Sequence, residues 1–314
     1  MGLARGGQLQ GLFAVGCRHD VEVAEGAQER RPDHHARTDA LPLWEIRNQG
    51  LLVGWLAGSV HTLPADAYPL PEPLNRAFES SGRLAVEVDL TALRAGELAV
   101  LTSRLGFYDD GSGLREHLPD ATWETLDRYL DARGESLAGY RQMRPWLAAL
   151  TLTNTALLEL GHQPSFGIDL HYLQRAHAMG KPVTALETAE YQMRVFSDAA
   201  PHVQARTLSV TLADLTAPQQ LGARIAGLTG AWRRGDLAAL HSLTLDAHAA
   251  DPELAPLLHS LLDARNEQMA TRVHGLIEAG DRPMILVGAL HLAGETGLIA
   301  ALEGSYNIRQ VYVD

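Results

Sequence analysis

Cysteine and lysine are nearly absent from this sequence of 314 residues. The one cysteine, Cys17, excludes an intramolecular disulfide framework and any metal site built from several thiolates. Lys181 is the one lysine, so arginine supplies almost all of the positive charge. Acidic residues outnumber basic ones by 38 to 26, which gives a formal net charge of −12. Because an acidic chain without a basic patch offers few contacts to phosphates, the sequence argues against a nucleic-acid partner.

Long apolar runs are missing as well. A membrane-spanning helix needs about 18 or more consecutive apolar residues. The longest candidate, residues 146–160, is interrupted by three threonines, an asparagine and a glutamate, which is typical of a buried helix in a folded domain. The sequence therefore predicts no transmembrane segment.

The first 40 residues carry few periodic apolar positions, and we expect them to form a disordered leader. Their one apolar stretch, residues 12–17, is shorter than the core of a signal peptide. A cytoplasmic location is therefore favoured, with export to the periplasm or as a lipoprotein as the alternative if the true start lies elsewhere. Residues 41–314 are expected to form the folded part, and the sequence leaves its oligomeric state open.

Apolar segments predict strands at residues 51–56, 84–89, 182–186, 284–287 and 309–313. A turn at residues 48–50 predicts a hairpin that joins residues 43–46 to the first of these strands. Alternation along the second of them would place Glu87 and Asp89 on one face, although Asp89 could equally cap the following turn. A helical middle of about residues 115–280 separates the strands near the two chain ends. We therefore expect strands from both ends to share one sheet, in a single α/β domain with a large helical insertion.

The most informative pattern is an apolar run that ends in Gly-x-x-His, which occurs at His61 and again at His291. Each histidine follows a predicted buried strand, where parallel α/β sheets place their ligand crevice. Two histidines with a carboxylate such as Glu87 or Glu187 form a common catalytic metal set. The alternative is that each histidine is an ordinary core or capping residue.

Three stretches of the chain resemble the TraB/GumN family, which is related to the Tiki metalloproteases: residues 51–90, 166–196 and 265–298. The motifs GSVH, VEVD, GKPVTALETAEYQ, RNEQMA and VGALH occur in the family's order. The resemblance covers about residues 41–314. It implies an α/β fold with a duplicated mixed-sheet core, similar to the erythromycin esterases and the ChaN-like haem-binding proteins.

The resemblance also implies a site. It assigns His61, His291 and Glu87 as ligands of a divalent metal ion, with manganese or cobalt favoured and zinc possible. It assigns catalytic roles to Glu87, Glu187, Arg265 and Asn266, and Gln192 matches the family's glutamine. The implied function is a metal-dependent hydrolase that acts on peptide bonds, with a peptide or a small molecule as its substrate.

Alternatives remain open at the level of the residues and of the function. Glu87 could face solvent on an edge strand, Glu187 could cap the next helix, and Arg265 with Asn266 could be a surface pair or could clamp one of the glutamates. The protein could also bind a peptide or haem without turnover, as the family's pheromone-shutdown and haem-binding relatives suggest. A metal-free esterase with a histidine as its base is the third possibility.

Overall fold

The computed structural model of the protein describes residues 40–94, 96–246 and 251–313. The predicted leader, apart from Ala40, lies outside the described residues. Within them, six strands form one mixed sheet in the order β4-β3-β5-β2-β1-β6. The strands are β1 (Ala40–Asn48), β2 (Leu51–Ser59), β3 (Arg83–Val86), β4 (Val183–Ala185), β5 (Pro283–Gly288) and β6 (Asn307–Tyr312).

The first two strands form the predicted hairpin. Their turn places Gln49 and Gly50 at φ angles of 48° and 83°, a left-handed conformation in which glycine is unstrained. Strand β2 then pairs in parallel with β5, so that Trp55 lies opposite Met284. Strands from the two chain ends therefore share one sheet, as predicted.

The helices are longest and most numerous between β3 and β5. They are α1 (Glu72–Ser80), α2 (Glu97–Gly106), α3 (Asp120–Asp131), α4 (Pro145–Glu159), α5 (Ile168–Met179), α6 (Ala189–Ser197), α7 (Pro201–Leu215), α8 (Pro218–Arg233), α9 (Leu237–His241), α10 (Ala255–Leu261), α11 (Asp263–Glu278) and α12 (Leu298–Glu303). Of these described helices, none is both long and apolar enough to span a membrane. The α/β class is confirmed, whereas internal duplication stays an expectation from the resemblance.

The continuous apolar run of strand β5 is explained by burial of both of its faces. Met284 and Leu286 pack into one hydrophobic cluster, while Ile285 and Val287 pack into another on the opposite face. The first cluster includes side chains from α1, α5 and α8, and the second includes side chains from α11 and α12. A central strand covered by helices on both faces buries every side chain, so alternation with polar residues disappears.

The strand predicted at residues 84–89 is shorter in the structure, so the prediction was wrong at its C-terminal end. Strand β3 ends at Val86, so Glu87 and Asp89 do not share a strand face. The carboxylate of Asp89 accepts hydrogen bonds from the backbone N–H groups of Thr91 and Ala92 and from the Thr91 hydroxyl. Asp89 therefore turns the chain, which is the capping role that the sequence left open.

Gly167 allows helix α5 to approach the end of β2. The backbone N–H of Ile168 donates to the carbonyl of Val60 at 3.0 Å, and a Cβ atom at Gly167 would overlap the carbonyl oxygen of His61. The contact partner is backbone, which cannot rotate away. A side chain at this position must therefore push α5 and β2 apart.

We predict that Gly167→Ala lowers the free energy of unfolding by about 1–3 kcal/mol, as overpacking does in other proteins. Gly275→Ala is the matched control, because Gly275 lies within α11 with open space around the added methyl group. It should raise the free energy of unfolding by about 0.5–1 kcal/mol, since alanine favours helix more than glycine does. Urea unfolding of both variants measures the two signs, and a stabilising Gly167→Ala would contradict the close approach.

Candidate functional site

Four neighbouring parallel strands each lead into a residue of the predicted site. Glu187 follows β4, Glu87 follows β3, His291 follows β5 and His61 follows β2. Because these strands are parallel, their carboxyl ends lie at the same edge of the sheet. Backbone pairing continues past β3 and β4, with the N–H of Glu187 donating to the carbonyl of Glu87 at 2.7 Å. The two glutamates therefore lie side by side.

The guanidinium of Arg265, on α11, bridges the two glutamates. Its Nη2 donates to Glu87 Oε2 at 2.6 Å and to Glu187 Oε2 at 2.7 Å, and its Nε lies 3.0 Å from each oxygen of Glu187. Its Nη1 donates to the carbonyl of Leu261 at 3.1 Å. Only 1% of the Arg265 side chain is exposed. Burial acts to lower the pKa of Arg265, but the two carboxylates raise it above its ordinary value, so the cation persists.

Gln192 and Gly288 complete the surroundings of Glu87. The amide Nε2 of Gln192 donates to Glu87 Oε2 at 2.9 Å and to Glu187 Oε2 at 3.1 Å. The backbone N–H of Gly288 donates to Glu87 Oε1 at 2.6 Å. Both oxygens of Glu87 thus accept hydrogen bonds, which fixes the carboxylate in one orientation.

Glu87 is ionised in this setting. Burial acts to raise its pKa, but its interactions with His291, Arg265, His61 and the N–H of Gly288 together hold the pKa well below its usual range. Since Arg265 is the permanent cation among these groups, it is the main counter-charge at neutral pH. A carboxylate this acidic is a poor acceptor of protons at neutral pH.

His291 is neutral and has a defined tautomer. Its Nδ1 lies 2.6 Å from Asn266 Oδ1, and the amide Nδ2 of Asn266 donates to the carbonyl of Thr296 at 2.9 Å. The Asn266 oxygen must therefore accept, so the proton is on His291 Nδ1 and the lone pair is on Nε2. That Nε2 lies 3.8 Å from Glu87 Oε1. Burial lowers the pKa of His291 to about 3, against the opposing charge of Glu87.

His61 is held in the same way by Asp169, a residue of α5. Its Nδ1 lies 2.8 Å from Asp169 Oδ2, and 18% of each side chain is exposed. Burial acts to lower the pKa of His61, but the charges of Asp169 and Glu87 raise it above its ordinary value. A carboxylate only accepts, so Nδ1 carries the proton.

The sequence patterns gave no functional reason to select Asp169. It lies in the first turn of α5, where an acidic residue is common because it complements the helix dipole. The signal that could have identified it is the glycine at position 167, which brings this turn against His61.

The two histidines line one cleft, of about 770 Å³ when the space that opens to solvent is included. Helices α4, α8 and α9 supply most of its opposite wall, and Glu87, Glu187 and Arg265 are not among its described lining residues. The lining residues are Ser59, Val60, His61, Thr62, Leu63, Leu157, His162, Ile225, Leu228, Thr229, Leu240, Thr244, Leu262, Gly288, Ala289, Leu290 and His291.

The donor set fits a divalent ion in part. Two ligands that bind one ion at about 2.1 Å can lie no more than about 4.2 Å apart, and the 3.8 Å between His291 Nε2 and Glu87 Oε1 meets this limit. In the part of the chain that the structure describes, however, no three His, Cys, Asp or Glu side chains are grouped closely enough to hold a metal. His61 lines the cleft with His291, but the three-ligand set is not assembled.

The remaining predicted residues contact other site residues. Glu187 and Arg265 bind each other, and Asn266 holds His291. Glu187 does not cap helix α6, because Thr188 does so by accepting from the N–H of Tyr191 at 3.1 Å. The surface-pair alternative for Arg265 and Asn266 is also wrong, since the two residues are 1% and 3% exposed. Glu87 is 5% exposed, which rules out the solvent-facing alternative for it too.

We predict that Glu187→Gln lowers the free energy of unfolding by about 1–3 kcal/mol, because it weakens three buried hydrogen bonds of Arg265 while Glu87 still balances the charge of the guanidinium. Glu79→Gln is the control: it breaks the half-exposed pair with Arg175 and should cost less than about 1 kcal/mol. Guanidinium-chloride unfolding measures both. Equal small losses would mean that the buried pair contributes no more than a surface pair.

Comparison with known proteins agrees with the motifs. The uncharacterized protein YbaP of Shigella flexneri is 26% identical over 260 residues, which cover 82% of this chain and 90% of the relative. The protein of the same name from Escherichia coli strain K12 is 26% identical over 246 residues, which cover 77% and 85%. No solved structure matches the chain significantly. The model of the TraB/PrgY/gumN family matches residues 42–309, so the chain belongs to this family.

Proposed function

We propose that the protein is a metal-dependent hydrolase that cleaves peptide bonds, with His61, His291 and Glu87 as the ligands of a divalent ion. The observation that carries the proposal is that both histidines have Nδ1 bound to an oxygen acceptor, which fixes the orientation of each ring. Histidines that bind metals almost always have such a second contact. Family membership supports the choice of histidines.

A divalent ion such as manganese, cobalt or zinc, when bound, supplies Lewis acidity that makes a water molecule nucleophilic at neutral pH. The chain's own residues prepare for this chemistry. Neutral His291 and ionised Glu87 are already in the protonation states that metal ligands need, so binding does not require proton loss from either residue. Asp169 and Asn266 fix the orientation of the two imidazoles.

Glu187, Arg265 and Asn266 act as positioning residues in this proposal. Both oxygens of Glu187 accept from Arg265, and the amide of Asn266 is committed to His291 and Thr296. Arg265 donates to Glu87, Glu187 and the carbonyl of Leu261. We therefore place these three residues behind the histidines and Glu87, and not in contact with substrate.

A metal-free esterase is the second candidate, and the His61–Asp169 pair favours it. A carboxylate that holds an imidazole through Nδ1 and raises its pKa is the arrangement of a general base. In this alternative Nε2 of His61 accepts the proton from an attacking water. The two candidates differ in whether hydrolysis needs an ion.

We predict that the purified protein cleaves peptides from a mixed library, that a chelator abolishes cleavage, and that added manganese restores it. His291→Gln should abolish cleavage and stoichiometric metal uptake. Asn266→Ala and Asp169→Asn should each weaken metal affinity by about 10–100-fold, because they release an orienting contact. Elemental analysis, titration calorimetry and chromatography of the digested library are the measurements.

His259→Gln is the matched control, because His259 also pairs with an aspartate, Asp263, at 2.8 Å but is exposed on the surface. It should leave metal uptake and cleavage intact. Ester hydrolysis that survives complete chelation and is lost in Asp169→Asn would contradict the metal proposal and favour the esterase. Peptide binding or a Soret absorbance without any hydrolysis would favour a binding protein.

A further inference from the structure

The cleft beside the histidines has a mainly apolar lining. Seven leucine and isoleucine side chains line it, with smaller apolar and hydroxyl groups between them. Among the residues that the structure describes, no Asp, Glu, Lys or Arg lines this cleft. This is unexpected in a chain with 38 acidic and 26 basic residues, and it means that a charged ligand group would be desolvated there without an ionic contact.

A third histidine does not change this character. His162 lines the cleft and is 8% exposed, and burial lowers its pKa, so it is neutral at pH 7. Its segment is tied to the strand end by mutual backbone hydrogen bonds between Leu63 and Gln163.

The apolar wall is fixed relative to the histidines. Ile225, Leu228 and Thr229 belong to α8, and the indole Nε1 of Trp232 on the same helix donates to the carbonyl of Gly58 at 2.9 Å. Gly58 is the first residue of the Gly-x-x-His pattern that ends at His61. The helix that forms the wall and the strand that carries the histidine are therefore joined by a buried hydrogen bond.

We propose that this cleft binds a large aliphatic side chain of the substrate, such as leucine, in the residue next to the bond that is cleaved. The proposal rests on the proposed function, because it places the reacting bond at His61 and His291. The lining of the cleft favours burial of hydrocarbon and penalises burial of charge. Peptides with aliphatic side chains are therefore the substrate class.

The test uses short fluorescein-labelled glycine peptides with a central leucine, aspartate or lysine, and measures binding by fluorescence anisotropy in the presence of chelator. The leucine peptide should bind about tenfold or more tightly than either charged peptide, since an apolar pocket discriminates by about this factor per group. Equal binding of the three peptides would overturn the proposal.

Two variants at one position sharpen the result. Thr229→Asp should remove the preference for leucine and favour the lysine peptide, whereas Thr229→Val, which keeps the shape, should bind leucine at least as tightly. Ala226→Asp is the control, because Ala226 is exposed on the same helix and does not line the cleft. A leucine preference that survives in a folded Thr229→Asp protein, checked by circular dichroism, would overturn the proposal.

Cleavage is measured separately with manganese and without chelator. Selective binding of the leucine peptide without any cleavage would contradict the proposed hydrolase and leave the pocket assignment standing. Equal cleavage of all three peptides would support the proposed hydrolase and contradict the pocket assignment. Binding and hydrolysis of an octanoyl ester, with no binding of the leucine peptide, would identify an acyl chain as the occupant and overturn the assignment to a peptide side chain.

Discussion

The rest of this site depends on the buried ion pairs that Arg265 makes with Glu87 and Glu187. Arg265 joins a helix on one face of the sheet to the ends of two strands, through four contacts with Glu87 and Glu187. Removing these charges from water is costly, and the cost is offset only when every contact is made at good geometry. The network therefore permits few arrangements of α11, and the same helix carries Asn266, which orients His291.

The two sides of the cleft have separate origins. The polar side comes from the ends of parallel strands, where backbone pairing sets the spacing of successive residues. The apolar side comes from helices that pack over that edge and contribute leucine, isoleucine and threonine side chains. The chemistry and the shape of the cleft are thus held by different elements, which meet at the hydrogen bond between Trp232 and Gly58. A side-chain substitution in α4, α8 or α9 can therefore alter the shape of the cleft while α5 and α11 keep the histidines oriented.

Local patterns were enough to predict the elements and several of the site residues. Apolar runs and the Asn48-Gln49-Gly50 turn act within a few residues, so the sequence reveals them directly. The repeated Gly-x-x-His pattern identified both histidines. The end of β3 was misjudged because the alternation continues to residue 89, whereas the strand ends at Val86 and the chain turns at Asp89. The double contact of Arg265 and the cleft wall depend on how distant helices pack, which no local pattern records.

The order of strands in the sheet has a consequence for folding in the cell. Strand β5 lies between β3 and β2, yet it is synthesised more than 200 residues after β2. Until it emerges from the ribosome, the neighbouring edges of β2 and β3 have nothing to pair with, and exposed strand edges invite aggregation. Contacts so distant in sequence also form slowly. The sheet can therefore be completed only after β5 has been synthesised.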